Sequence, residues 1–199
     1  NLIQGGDNWK QQLALYITGG DVPDLVAFMD RPAGGGEAGA LADMCCAQLE
    51  QAGLRAVLTL CQSLATTADV RRAYLAIRAF QNDAAKIWPG KRWYTVQEVE
   101  FAQSCRSMIE EGEEAVQQRL AVLAPIREGG EAELERTLQI LLLDAGSSVA
   151  RTAELLFLHK NTVKYRLQRT AGRLGYPVGK MPETFALSTA CALERLLAP

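Results

Sequence analysis

Residues 149–169 read VARTAELLFLHKNTVKYRLQR, and this stretch decides the fold of the C-terminal part of the chain. Its first half is apolar at helical spacing around the small residue Ala153, and a second helix is predicted to begin near Lys160 after a three-residue turn. Two helices that cross steeply need a small residue at the crossing and apolar residues facing inward, here Leu158, Val163 and Leu167. The spacing therefore predicts a helix-turn-helix.

The second helix, predicted over 160–173, divides into two faces on a wheel of about 100° per residue. With Val163 pointing inward, the core face also holds Leu167, Thr170, Ala171 and Leu174. The opposite face carries side chains that could reach base edges in the major groove, namely Asn161, Thr162, Tyr165 and Gln168. Amide side chains pair bidentately with adenine edges. We therefore predict that these four residues read bases.

Cations border the predicted base-reading residues and could neutralise DNA phosphates. They are Arg151, Lys160, Lys164, Arg166 and Arg169. Residues 148–180 hold seven basic residues and one acidic residue, a local net charge of +6, which favours encounter with a polyanion. The alternative is a protein-interaction module whose cationic helix docks an acidic partner.

The net charge of the whole chain hides this concentration of positive charge in residues 148–180. The 199 residues include 21 Lys+Arg and 23 Asp+Glu, a net charge of −2, and 48% are hydrophobic. These values exclude a uniformly basic, histone-like protein and a disordered chain. Residues 1–147 hold 13 basic and 20 acidic residues, whereas residues 148–199 hold 8 and 3. The chain is thus an acidic body joined to a basic end.

Two segments together resemble the C-terminal helix-turn-helix of PucR/CdaR-type bacterial transcriptional regulators. They are a run that begins Thr137-Leu138 and continues into leucines, and the motif Ala153-x-Leu155-x-x-Leu158-His159-x-Asn161-Thr162-x-x-Tyr165-Arg166-Leu167. The family's H-R-N-T-x-x-Y-R-L core appears as HKNTVKYRL, with Lys160 in place of Arg, and Phe157 stands where a turn glycine is common. The resemblance covers about residues 131–199. It implies a regulator that binds double-stranded DNA through the major groove in response to an unidentified metabolite or upstream sensor domain. Because one such motif reads few base pairs, we expect a homodimer.

Residues 10–100 are similar to the later part of the degenerate GGDEF-like module that often precedes this helix-turn-helix. The pattern predicts a hairpin over 13–29, to which a helix over 8–18 is the alternative. It then predicts a helix over 37–52, a strand over 55–61, a helix over 67–88 and a short strand over 92–94. Gly19-Gly20-Asp21 lies in the hairpin, but Val22 and Pro23 follow where the cyclase signature has Glu and Phe. GTP cyclisation needs carboxylates there to hold metal ions. We therefore expect an interaction or dimerisation module and no enzymatic activity.

The predicted fold class is α+β and predominantly helical. A small-sheet, GGDEF-like module spans 1–100, connecting helices span 101–130 and an all-α helix-turn-helix domain spans 131–199, with Gly129-Gly130 as the break between the halves. From Val96 onward the pattern predicts helices over 96–110, 112–124, 131–144, 148–157, 160–173 and 183–197.

The cysteines and the single histidine argue against a metal or cofactor site. Five cysteines form no C-x-x-C pair, so neither a disulfide framework nor a zinc site fits, and free thiols indicate the cytoplasm. His159 is interpreted as a residue that caps the second helix, and Ser147-Ser148 as the N-cap of the first. No apolar run approaches the roughly 20 residues that a membrane helix needs, so we expect no membrane partner.

Overall fold

A computed structural model describes residues 38–53, 57–61 and 66–198, which fall into two units, Asn1–Arg55 and Ala56–Pro199. In the first unit, helix α1 spans Ala38–Gln51 and buries Ala42, Cys45 and Cys46. The helix predicted over 37–52 is therefore confirmed. The hairpin predicted over 13–29, with Gly19-Gly20-Asp21, lies outside the described residues.

The second unit begins with a two-stranded parallel sheet. Strand β1, Leu58–Leu60, pairs with β2, Trp93–Thr95, with Leu58 opposite Trp93. Helix α2, Thr67–Ile87, makes the crossover that a parallel pair requires. Its first turn is closed by a capping box in which Thr66 and Asp69 each accept the other's backbone N–H. Both predicted strands are present, although β1 is shorter than 55–61 and β2 lies one residue later than 92–94.

Helices make up most of the remaining described chain. They are α3 Val96–Glu110, α4 Glu113–Leu120, α5 Ala124–Arg127, α6 Ala132–Gln139, α7 Val149–Leu156, α8 Lys160–Leu174 and α9 Glu183–Leu197.

Two of the predicted helices are interrupted. The helix predicted over 112–124 gives way to a 3-10 turn at Ala121–Leu123, just before Pro125, which has no N–H to continue the helical bonding. The helix predicted over 131–144 changes at Ile140–Asp144 to a π-helical segment, in which the N–H of Ala145 donates to the carbonyl oxygen of Ile140.

The core of the second unit is built mainly from α2, α3, α6 and α9. Fully buried side chains from these helices include Ile87, Val99, Leu138 and Leu193. Helix α9 also carries Arg195, whose guanidinium donates to Asp144 at the end of the π-helical segment at 2.8 Å. The described part of the chain is thus predominantly helical with a small sheet, as predicted, and α9 packs against α2, α3, α4 and the π-helical segment.

Candidate nucleic-acid interface

Helix α7 begins at a side-chain cap. Ser148 is the N-cap, and its hydroxyl accepts the backbone N–H of Arg151 at 3.3 Å, which confirms the predicted cap. Thr152 and Ala153 are buried, so the small residue at the predicted helix crossing does face inward. Helices α7 and α8 are in contact, as a helix-turn-helix requires.

The turn after α7 contains an unusual residue. Phe157 adopts left-handed backbone angles, φ 54° and ψ 42°, and 95% of its surface is exposed. This is the conformation for which glycine is the usual choice, because a Cβ there is strained. Phe157 therefore occupies the turn position noted in the sequence without burying its ring.

His159 caps the start of α8. Its Nδ1 accepts the backbone N–H of Asn161 at 3.2 Å, which confirms the capping role. Because Nδ1 is the acceptor, a neutral imidazole in this position carries its proton on Nε2. The recognition helix, as we name α8, then runs to Leu174 and ends at Gly175 with φ 81°.

The two predicted faces of the recognition helix are present. Val163 and Thr170 are fully buried, whereas Leu167, Ala171 and Leu174 are half-buried. On the opposite side Asn161, Tyr165 and Gln168 are exposed, and Thr162 is half-buried. We call these last four residues, which the sequence predicts to read bases, the base-reading face. Its central aromatic ring, Tyr165, is 57% exposed.

The cations around this face differ in their bonding. Lys160 and Lys164 are exposed, and neither forms an ion pair within the described ranges. Arg151 pairs with Glu154 of its own helix at 3.0 Å, and both side chains are well exposed. A surface pair of this kind contributes little to stability and exchanges easily for another anion.

Three arginines of the recognition helix are bound to α6 and the residue before it. Nη1 of half-buried Arg166 donates to the hydroxyl oxygen of Thr137 at 3.3 Å. Nη2 of Arg169 and Nη2 of Arg173 each donate to Oε1 of Glu131 at 2.8 Å. Arg169 also lies over the ring of Tyr165, 5.8 Å from its centroid.

Sequence reasoning missed Thr137 and Glu131 as partners of this helix. They precede their arginines by 29 and 38 residues, respectively, so no local spacing predicts these two contacts, although Thr137 begins the run that resembles the PucR-type domain. A glutamate just before a helix, such as Glu131, is ordinarily interpreted as a solvent-exposed charge that favours the helix N-terminus.

The described residues show neither a metal site nor a membrane span. No group of three or more His, Cys, Asp or Glu among them could hold a metal ion. None of the helices in the described ranges is long and apolar enough to cross a membrane.

Helix α8 buries one face and exposes a polar face, and it packs against the short helix α7 after a capped turn. This arrangement is that of a helix-turn-helix DNA-binding domain. Residues 134–193 match the family model of the PucR C-terminal helix-turn-helix domain, so this region is a PucR-type helix-turn-helix, as its motif indicates. The matched segment runs from α6 through α9. No curated protein and no solved structure matches the chain. The domain is that of a DNA-binding transcription regulator.

Proposed function

We propose that this protein regulates transcription as a homodimer on a two-part DNA site, with the recognition helix in the major groove. The observation that carries the proposal is the division of α8 into a buried face, with Val163 and Thr170, and an exposed polar face opposite. Because α8 is held in the domain by its buried face while its polar face is exposed, the helix can enter a groove about 12 Å wide without any unfolding of the domain.

Base recognition falls to the base-reading face. Asn161 and Gln168 lie two turns apart on the helix, so their amides can address base pairs at different positions along the groove. Thr162 and Tyr165 lie between them and supply hydroxyl groups. His159 fixes where the helix begins and thereby the height at which Asn161 enters the groove.

Phosphate contact is proposed for Arg151, Lys160, Lys164, Arg166 and Arg169. Lys160 and Lys164 need give up no ion pair seen in the described chain, so they are the strongest candidates. Arg151 and Arg169 would have to share or leave Glu154 and Glu131, respectively. Phosphate contact would therefore cost less free energy at the two lysines than at these two arginines.

We propose that 1–100 is a GGDEF-like, non-catalytic module, that 101–130 connects it to the DNA-binding domain at 131–199, and that the protein acts in the bacterial cytoplasm as a PucR/CdaR-type regulator. The order α1, β1, α2, β2 along the chain supports a GGDEF-like module, and the Val22-Pro23 sequence supports the lack of catalysis. The effector is a metabolite or a sensor domain.

The experiment begins with selection of bound sequences from a pool of random 30-base-pair duplexes. Affinity for a selected duplex and for a scrambled one is then measured at several salt concentrations by fluorescence anisotropy. We expect tighter binding to the selected duplex and a linear fall of log affinity with log salt concentration. Lys164→Gln should reduce the slope by about 0.9 and weaken binding to both duplexes.

The matched control is Lys86→Gln, an equal charge change at an exposed position of α2. It should leave the slope unchanged. Asn161→Ala and Gln168→Ala should reduce the preference for the selected duplex, by about 1–3 kcal/mol for a bidentate contact. If selection yields no preferred sequence and binding reflects only attraction to a polyanion, the proposal is wrong, and a cationic helix that docks an acidic protein becomes the better interpretation.

A further inference from the structure

The carboxylate of Glu131 is shared by two cations of the recognition helix. Its Oε1 accepts from Arg169 and from Arg173, each at 2.8 Å, and its side chain is only 15% exposed, against 42% for each arginine. The guanidinium of Arg173 packs on Gly129, where an added Cβ would lie 2.8 Å from Cζ. Because residue 129 has no side chain, the backbone there leaves room for the cluster of Glu131, Arg169 and Arg173.

This cluster lies at the edge of the base-reading face. Arg169 contacts Tyr165 with its guanidinium and Glu131 with the same group, so it connects the carboxylate to a residue proposed to read bases. The carboxylate of Glu131 cancels one of the two positive charges of Arg169 and Arg173. Because this carboxylate is largely shielded from water, salt screens its attraction to the arginines less than it screens an ion pair at the surface.

We propose that Glu131 limits the affinity of the recognition helix for DNA by competing with backbone phosphate for Arg169 and Arg173. The inference rests on the proposed DNA-binding function. A phosphate approaching this edge meets a net charge of +1 where two arginines would otherwise present +2. Glu131 thus sets how much of the binding energy comes from nonspecific phosphate contact, and it leaves a larger share to the base-reading face.

The attachment of α8 to α6 has supports other than Glu131. Arg166 donates to Thr137 of α6, and α6 and α8 also pack against each other. Loss of the carboxylate should therefore release the arginines without detaching the helix, and the effect on DNA can be separated from an effect on folding.

The test compares Glu131→Gln with Glu135→Gln, using the selected and scrambled duplexes. Glu135 is a matched control because it also belongs to the α6 region, carries the same charge and pairs with Arg127, which lies outside the recognition helix. At about 0.1 M salt we expect Glu131→Gln to bind scrambled duplex about five- to tenfold more tightly, with a salt slope steeper by about 0.9 for each additional phosphate that the released arginines neutralise. Glu135→Gln should match the wild-type slope.

A second variant tests whether the tighter binding passes through Arg169 and Arg173. Replacing both arginines (Arg169→Met/Arg173→Met) should reduce the salt slope in the Glu131→Gln background by about twice as much as in the wild type, because in the wild type the carboxylate already offsets one of their two charges. Circular dichroism checks that each variant is folded. If Glu131→Gln does not fold, the slopes of the wild type and of Arg169→Met/Arg173→Met decide alone, and a loss of about 1.8, which is that of two uncompensated charges, overturns the inference.

The outcomes separate the inference from the function on which it rests. Wild-type protein that binds no duplex contradicts the proposed function. Wild-type protein that binds DNA, together with a Glu131→Gln variant of equal or lower affinity, overturns the competing role of Glu131 alone.

Discussion

Arg166 of the recognition helix donates a hydrogen bond to the buried hydroxyl oxygen of Thr137 on α6, with 3.3 Å between Nη1 and Oγ1. The same hydroxyl donates to the carbonyl oxygen of Glu133, one turn earlier in its own helix. A cation that the motif places among phosphate contacts therefore also joins the two helices. Substitutions at Thr137 and at Arg166 can separate these two roles.

Thr137→Val should separate the structural role of Arg166 from its proposed phosphate contact. Valine keeps the shape of threonine but cannot accept from Arg166, so we expect the free energy of unfolding to fall by about 1 kcal/mol, measured in urea. The salt slope of DNA binding should stay at the wild-type value, because the cation remains. Arg166→Met should lower both stability and the slope. Equal slopes for all three proteins would contradict phosphate contact by Arg166.

Phe157→Gly should stabilise the protein. The backbone at Phe157 is left-handed, and its side chain buries almost nothing, so glycine relieves strain without losing packing. We expect a gain of up to about 1 kcal/mol in the free energy of unfolding. Phe157→Ala is the control, since it removes the exposed ring but keeps the strained Cβ. A glycine variant no more stable than the alanine variant would contradict this account of the turn.

The buried thiols Cys105 and Cys191 should make the protein sensitive to alkaline pH. Burial raises the pKa of each thiol from its ordinary value of 9.0 to about 12. Below pH 9 both thiols are neutral in the folded and unfolded protein, so the stability they contribute is fully present. As the pH rises from 9 towards 12 only the unfolded chain loses these protons, and stability falls by up to about 1.4 kcal/mol per pH unit for each thiol.

Urea denaturation between pH 8 and pH 11 measures this effect. The Cys105→Ala/Cys191→Ala double variant is the control, because it removes both protons while other titrating groups stay in place. Its stability should decline less steeply than that of the wild type. Parallel declines would show that the two thiols are ionised in the folded protein as readily as in the unfolded chain.

The features that sequence reasoning predicted correctly depend on neighbours along the chain. The caps at Ser148 and His159 join residues two or three positions apart, and the inward face of α8 follows from the spacing of Val163, Leu167 and Thr170. Local hydrogen bonding and helical periodicity decide both, so a single sequence is enough to predict them.

The roles of individual residues on the exposed side of α8 remain predictions. The amino-acid pattern marks Asn161, Thr162, Tyr165 and Gln168 as exposed polar side chains, and three of the four are exposed in the structure, with Thr162 half-buried. Their contacts with bases, and those of the five cations with phosphate, are tested by the binding measurements on selected and scrambled duplexes. The three-part division of the chain is likewise a prediction.

The chain's order of residues was sufficient to define a helix-turn-helix, its limits and its outward face, because these depend on contacts within a few residues. Only tertiary packing decided which cations stay open to a partner. Arg169 and Arg173 pair with Glu131, which lies about 40 residues earlier in the sequence. Such a pair forms only where packing of α6 against α8 brings the groups within hydrogen-bonding distance, and no local pattern encodes that distance.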